Sequence, residues 1–86
     1  MSQVQMLRLP ALRQITGKCT SSIYNDVAAG RLTKGVRIGE RSVAWPSYEI
    51  EAVLEARIRG ADDAQIKALV SKMHAARTQG VDALAA

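Results

Sequence analysis

The chain has 86 residues, of which 48% are hydrophobic, and a formal net charge of +4. This length suits one domain, and the apolar content without any low-complexity run excludes a disordered chain. No apolar run approaches the roughly 20 residues of a membrane span, and we expect no signal peptide, because no basic segment followed by an apolar one opens the sequence. The single cysteine, Cys19, excludes an internal disulfide. We therefore expect a cytoplasmic protein that does not enter the membrane.

Positive charge is concentrated in the first half of the chain. Residues 1–45 contain seven Lys and Arg against two acidic residues, a balance of +5, whereas residues 46–86 contain five against six, a balance of −1. A basic half of this kind is typical of proteins that bind a polyanion. The alternative is a basic, solvent-exposed surface without a partner.

Two short helices joined by a tight turn are predicted near the N-terminus. Residues 6–9 indicate a very short strand, and Pro10 suits the first turn of a helix that Gly17 ends with a left-handed cap. A second helix begins near Thr20, whose hydroxyl can cap it, and ends at Gly30. The residues expected on the buried sides of these helices are Leu9, Leu12, Ile15, Ile23 and Val27.

The middle of the chain has the pattern of a β-hairpin. Val36 and Ile38 alternate with polar residues before a loop over residues 39–42, and Val43 and Trp45 alternate after it. Apolar alternation on both sides of a four-residue loop that contains Gly predicts two paired strands. We expect Trp45 to lie in the core rather than to stack on a base.

Two further helices are predicted after the hairpin. Pro46 starts a third helix that ends at Gly60, and Asp62 or Asp63 caps a fourth that ends at Gly80. The residues expected in their apolar stripes are Ile50, Val53, Leu54 and Ile58 in the third, and Ile66, Leu69, Val70 and Met73 in the fourth. The fourth stripe needs a partner surface, so this helix either completes the core or forms a dimer seam.

This order of elements predicts a mainly α fold with a small β-hairpin, a winged helix-turn-helix with an extra C-terminal helix. We divide the chain into a winged helix-turn-helix domain over residues 1–60, a C-terminal helix over residues 61–80 and a frayed tail over residues 81–86.

The second helix carries short polar side chains on its outward face, as a helix that enters the major groove of DNA requires. The residues predicted to contact the groove are Thr20, Ser21, Ser22, Tyr24 and Asn25. The residues predicted to hold the DNA backbone or minor groove are Arg31, Lys34, Arg37, Arg41 and Ser42. The alternative is that both groups are ordinary solvated residues. We expect Asp26 to lie at the core-side border of the second helix, paired with a neighbouring Arg.

Enzymatic and metal-binding functions are not indicated. His74 is the only histidine and has no Cys at metal-ligand spacing, and Cys19 has no nearby His or second Cys. The glycines are scattered as caps and turns, so no phosphate-binding loop is present. We expect no catalytic residue, no metal and no cofactor.

An ordered set of residues resembles the AlpA-type prophage regulators. Over about residues 6–59 the set comprises Arg8, Leu9, Pro10, Thr16, Gly17, Ser21, Ile23, Tyr24, Gly30, Arg31, Lys34, Val36, Gly39, Arg41, Trp45, Glu49, Ile50 and Ala52. The resemblance implies a MerR-like, excisionase-like winged helix that binds DNA in the cytoplasm. Cys19 stands where this family usually has a capping Ser, and Asn25 where it usually has a basic residue.

We expect from these features a sequence-specific, double-stranded-DNA-binding regulator of a prophage or integrative element that acts on integrase or excision genes. Two alternatives stay open: a recombination directionality factor (excisionase), and an antagonist that uses the same fold to occupy a regulator or an integrase. Integrase and RNA polymerase are the candidate protein partners. The sequence leaves open whether the protein acts as a monomer, a homodimer or a cooperative oligomer on DNA.

Overall fold

The structure, a computed structural model, describes the backbone of residues 5–85 and the side chains of residues 5–77. This part of the chain forms four helices and a small antiparallel sheet of three strands. The elements in chain order are β1 (Met6–Leu7), α1 (Leu9–Thr16), α2 (Thr20–Ala29), β2 (Val36–Arg37), β3 (Val43–Pro46), α3 (Ser47–Ile58) and α4 (Asp63–Ala85). None of the described helices is both long enough and apolar enough to span a bilayer.

The two helices of the N-terminal half end as predicted. Gly17 and Gly30 have φ angles of 71° and 80°, in the left-handed region that glycine adopts at low cost. The prediction that Thr20 caps α2 is wrong, because α2 begins at Thr20 and Cys19 holds the N-cap position. Ile15 was also misassigned: its side chain is 48% exposed, whereas Leu12 is fully buried.

The sheet contains the predicted hairpin and one further pairing. β2 and β3 are antiparallel, with Val36 opposite Ala44, and the Ile38 N–H donates to the Ser42 carbonyl at 3.0 Å to close the turn. β1 pairs with the other edge of β3, so that β3 is the central strand. Ala44 and Trp45 of this central strand are both buried, and Trp45 packs in the apolar core with Leu12, Ile23 and Ile50, which confirms Trp45 as a core residue.

The C-terminal half packs two helices against this sheet and against each other. Asp62 and Gln65 form reciprocal side-chain-to-backbone hydrogen bonds of 2.8 and 2.9 Å, a capping arrangement that starts α4. The prediction that Ile58 lies in the core is wrong, since its side chain is 84% exposed at the end of α3. α4 continues past Gly80, where the sequence indicates its end, to Ala85, and Ala86 lies outside the described residues.

One apolar core joins all of the helices to the sheet. Among the described residues, its buried members are Leu12, Ile23, Leu32, Trp45, Ile50, Val53, Ile66 and Val70. Ile66 and Val70 belong to α4, and Leu69 and Met73 pack against the same cluster. The core therefore holds α2 from behind, and within the described residues the opposite face of α2 is open to solvent.

Candidate nucleic-acid interface

The outward face of α2 is open and carries short polar groups. Ile23 is fully buried, which turns Ser21 and Asn25, on the other side of the helix, toward solvent. Thr20 and Ser22 are half-buried beside them. The next exposed residue of α2 after Asn25 is Ala28, whose methyl group is short, so no long side chain widens this face of the helix. The predicted groove-contacting residues thus lie together on one exposed surface, which we call the α2 face.

Tyr24 lies at the border between the α2 face and the core. Its ring centroid is 6.3 Å from that of Trp45, with the ring planes inclined by 58°, and its side chain is 49% exposed. The contact with the indole orients one edge of the phenol ring and leaves the remainder in solvent. Trp45 is itself fixed, because its Nε1–H donates to the Thr33 carbonyl at 2.8 Å.

The hairpin between β2 and β3, together with the residue Lys34 just before it, carries most of the second group of predicted residues. Lys34, Arg37 and Arg41 are exposed, and Ser42 is half-buried. Arg37 Nη2 donates to the Glu40 carbonyl at 2.9 Å, which folds this guanidinium over the turn. The hairpin therefore exposes Arg37 and Arg41 on a turn that is closed by the Ile38 N–H hydrogen bond to the Ser42 carbonyl.

Arg31 differs from the other predicted cations because acidic side chains engage its guanidinium. Arg31 Nε donates to Asp26 Oδ1 at 3.1 Å, and Arg31 Nη1 lies 3.8 Å from an Asp63 carboxylate oxygen. Lys18 Nζ also contacts Asp26, at 2.5 Å from Oδ2. Burial raises the pKa of the Asp26 carboxyl, but hydrogen bonds and charge from Lys18 and Arg31 outweigh burial and lower that pKa overall. The predicted pairing of Asp26 with an Arg is confirmed.

Cys19 occupies the N-cap of α2, beside the α2 face. Its Sγ lies 3.4 Å from Ser21 Oγ and 3.3 Å from Ser22 Oγ, and the side chain is exposed. Side-chain hydrogen bonds with Ser21 and then Ser22 lower the pKa of the Cys19 thiol to about 6. The thiol therefore ionises near neutral pH at the edge of the surface that carries the predicted DNA contacts.

An open groove lies next to Cys19, at the turn between α1 and α2. It has a volume of about 570 Å³ and is lined by Pro10, Arg13, Gln14, Gly17, Lys18 and Cys19. Arg13 is exposed in this groove, and the backbone N–H of Gly17 donates to the Arg13 carbonyl at 2.9 Å. Sequence reasoning did not assign Arg13 a role, although its position one turn before a helix-ending glycine places it at this turn.

A network that sequence reasoning missed connects α4 to the chain just before the hairpin. The Lys34 N–H donates to His74 Nε2 at 3.1 Å, and Arg77 Nη2 donates to the Lys34 carbonyl at 2.9 Å. Arg77 also binds the buried Glu49 through two nitrogens, with Nε 2.9 Å from Oε2. Desolvation and the nearby Arg77 and Lys34 charges lower the pKa of His74, so the neutral ring accepts this hydrogen bond.

The part of the chain that the structure describes holds no group of three His, Cys, Asp or Glu side chains arranged to bind a metal ion. The described residues offer a slim polar helix and a cationic hairpin. The segment between them is held by the Arg31–Asp26 ion pair and by the hydrogen bond from Arg77 to the Lys34 carbonyl. Side chains of these kinds can bind the phosphates and base edges of a nucleic acid through hydrogen bonds and charge.

The model of one protein family, described as the prophage CP4-57 regulatory protein (AlpA), matches residues 5–58. The chain belongs to the AlpA family of prophage regulators. This membership confirms the resemblance seen in the sequence.

A curated relative of this AlpA-family protein comes from a phage. The chain is 32% identical over 59 residues to the uncharacterized protein ORF88 of Enterobacteria phage P4, and the alignment covers 69% of this chain and 67% of ORF88. No solved structure matches the chain. The AlpA match begins before β1 and ends with α3, so it contains the α2 face and the hairpin, while His74 and Arg77 lie beyond it.

Proposed function

We propose that this AlpA-family protein is a sequence-specific DNA-binding regulator of a prophage or related mobile element, built as a winged helix-turn-helix. The observation that carries the proposal is the exposed, short-chained α2 face beside a hairpin whose cations are also exposed. The proposed action needs no catalytic group, metal or cofactor, and it takes place in the cytoplasm, where the element's DNA lies.

In the proposed complex α2 enters the major groove of double-stranded DNA. Ser21 and Asn25 are exposed at the centre of the α2 face, and an Asn amide can pair with two edge atoms of adenine. Thr20, Ser22 and the Tyr24 hydroxyl flank them and reach bases or phosphates. The groove is about 12 Å wide, so the absence of long side chains at Ala28 supports a close approach of the helix.

The hairpin acts in this proposal as the wing that holds the DNA backbone or minor groove. Lys34, Arg37 and Arg41 are exposed for this contact, and Ser42 offers a hydroxyl beside them. Arg31 contributes less directly, since its guanidinium is engaged by Asp26. We therefore assign Arg31 mainly to fixing α2, where it neutralises a carboxylate that would otherwise repel phosphate.

The proposal is tested by titrating the protein with DNA that flanks its own gene and the nearest integrase gene, at several salt concentrations. Each phosphate neutralised adds about −0.9 to the slope of log affinity against log salt. Lys34, Arg37 and Arg41 alone predict a slope of about −2.7, and exposed Arg8 and Arg13 would bring it to about −4.5. A slope near zero would exclude DNA as the partner.

Three variants separate positioning contacts from base contacts. R37A/R41A should weaken binding to all sequences alike and reduce the magnitude of the salt slope by about 1.8. N25A should change the preference between sites, by about 1–3 kcal/mol at one base pair. K72A removes an exposed cation from α4 and is the matched control, with unchanged affinity expected.

The same DNA contact serves a transcriptional regulator of integrase or excision genes and a recombination directionality factor. We favour transcriptional regulation because the matching family is described as regulatory. DNA bending together with cooperative filling of adjacent sites would favour the directionality factor. Binding to an integrase or to RNA polymerase without DNA binding would favour the antagonist.

A further inference from the structure

The segment between α2 and β2 links the two elements that we propose to contact DNA, and each of its last residues is held by a different neighbour. The buried Thr33 accepts a hydrogen bond from the Trp45 indole through its carbonyl. Lys34 is held through both its N–H and its carbonyl by α4. Gly35 packs so closely that an added Cβ would lie 2.2 Å from Val43 Cγ1.

The contact from α4 is anchored at a third element. Glu49 of α3 is 1% exposed, and its carboxylate accepts hydrogen bonds from two nitrogens of Arg77. The same guanidinium donates to the Lys34 carbonyl. A guanidinium presents several N–H donors in a rigid fork, so one side chain can fix two acceptors in a set geometry.

We propose that Arg77 is a positioning residue for DNA binding: it fixes the Lys34 backbone against α3 and thereby sets the direction in which the hairpin leaves the domain. The proposal rests on the proposed function, because it assigns α4 the task of orienting the wing relative to α2. Gly35 packs closely against Val43, so a shift of the neighbouring Lys34 backbone would displace Val43 and with it the hairpin. The position of Lys34 is therefore transmitted to the hairpin. α4 thus contributes to DNA affinity without contacting DNA.

The first test is a double-mutant cycle measured as DNA affinity. Arg77→Lys keeps a positive charge beside Glu49 but cannot supply the fork that also reaches Lys34. We expect R77K to weaken binding about tenfold, within the range of couplings measured between packed elements. In the R37A/R41A background the same substitution should change affinity only about twofold, because Lys34 and Ser42 are the proposed wing contacts that remain.

A merely structural role for Arg77 gives a different pattern. If R77K only lowered the folded fraction, it would weaken binding by the same factor in both backgrounds, and that result would overturn the proposal. H74L is the second variant, since it removes the acceptor of the Lys34 N–H and leaves the Glu49 pair intact. We expect H74L to weaken binding in the same direction and to show the same dependence on the hairpin arginines. K72M, which removes a cation elsewhere on α4, should bind like the unaltered protein.

A second readout needs no DNA and separates this inference from the proposed function. Amide hydrogen exchange of the free protein should be faster in R77K at Lys34 and at Ile38, whose N–H closes the hairpin turn, and unchanged at Ile23 in α2. If the unaltered protein binds no DNA, the proposed function fails, and this exchange pattern still decides whether Arg77 fixes the hairpin. Equal exchange at Lys34 and Ile38 in R77K and the unaltered protein would overturn the positioning role.

Discussion

Replacing Arg77 by Met should destabilise the fold strongly. The Glu49 side chain is 1% exposed and that of Arg77 is 20% exposed, so the substitution leaves a buried carboxylate without its cation. Removing one partner of a buried pair costs about 3–5 kcal/mol. A chain of this length has a free energy of unfolding of about 4–13 kcal/mol, at about 0.05–0.15 kcal/mol per residue. R77M should therefore lose a large share of its stability.

Urea denaturation at pH 7, followed by circular dichroism, measures this loss. The informative control is E49M/R77M, because replacing both partners of a buried pair by apolar side chains of similar size is often neutral. We expect the free energy of unfolding of the double variant to lie within about 2 kcal/mol of that of the unaltered protein. The difference arises from the lost hydrogen bond to the Lys34 carbonyl. A loss below about 1 kcal/mol in R77M, or an equal loss in both variants, would refute the reasoning from burial.

Three further outcomes follow from the local chemistry. Because the pKa of folded His74 lies below its ordinary value of about 6.5, the unfolded chain binds the proton more readily, and stability should fall as pH drops below about 6.5. H74Q, which keeps an acceptor oxygen, should remove that part of the pH dependence in urea denaturation. Iodoacetamide should alkylate Cys19 half-maximally near its pKa of about 6, and bound DNA should protect it; reaction at the same rate with DNA bound would contradict the proposed orientation of α2. G35A should lose about 1–3 kcal/mol through overpacking against Val43, whereas G39A, whose added Cβ would meet nothing closer than 3.7 Å, should unfold like the unaltered protein.

Local chemistry made most of the elements predictable. Gly17 and Gly30 end helices because they adopt positive φ, and that preference is visible in the sequence. The hairpin was also predictable, because alternation around a Gly-containing loop depends only on neighbouring residues. The pairing of β1 with β3 was not, since two residues carry too little pattern to specify a partner strand.

The errors arose where tertiary packing decides which side chains are covered. Ile15 and Ile58 fit the helical apolar stripes, yet each lies near a helix end that stays exposed in the part of the chain that the structure describes. The Glu49–Arg77 pair was missed for the same reason. Glu49 has the sequence signature of an acidic residue favoured in a first helical turn, and only the arrangement of α3 beside α4 brings Arg77 to it.

The structure also reduces the number of cations in the N-terminal half that are available to a polyanion. Lys18 and Arg31 share the buried Asp26, so two of the seven cations in residues 1–45 neutralise an internal acid. This pairing favours the proposed placing of α2 in a groove, because the Asp26 carboxylate is neutralised by two positive charges and does not repel phosphate.

The exposed cations of residues 1–45 that remain are Arg8, Arg13, Lys34, Arg37 and Arg41. Arg8 directly precedes α1, Arg13 lies within it, and the other three belong to the hairpin and the segment before it, so the exposed positive charge of residues 1–45 lies on elements before and after the neutral, hydrogen-bonding surface of α2. In the proposed complex, nonspecific attraction and base recognition would therefore fall to different side chains, and substitutions in the two sets should separate affinity from specificity.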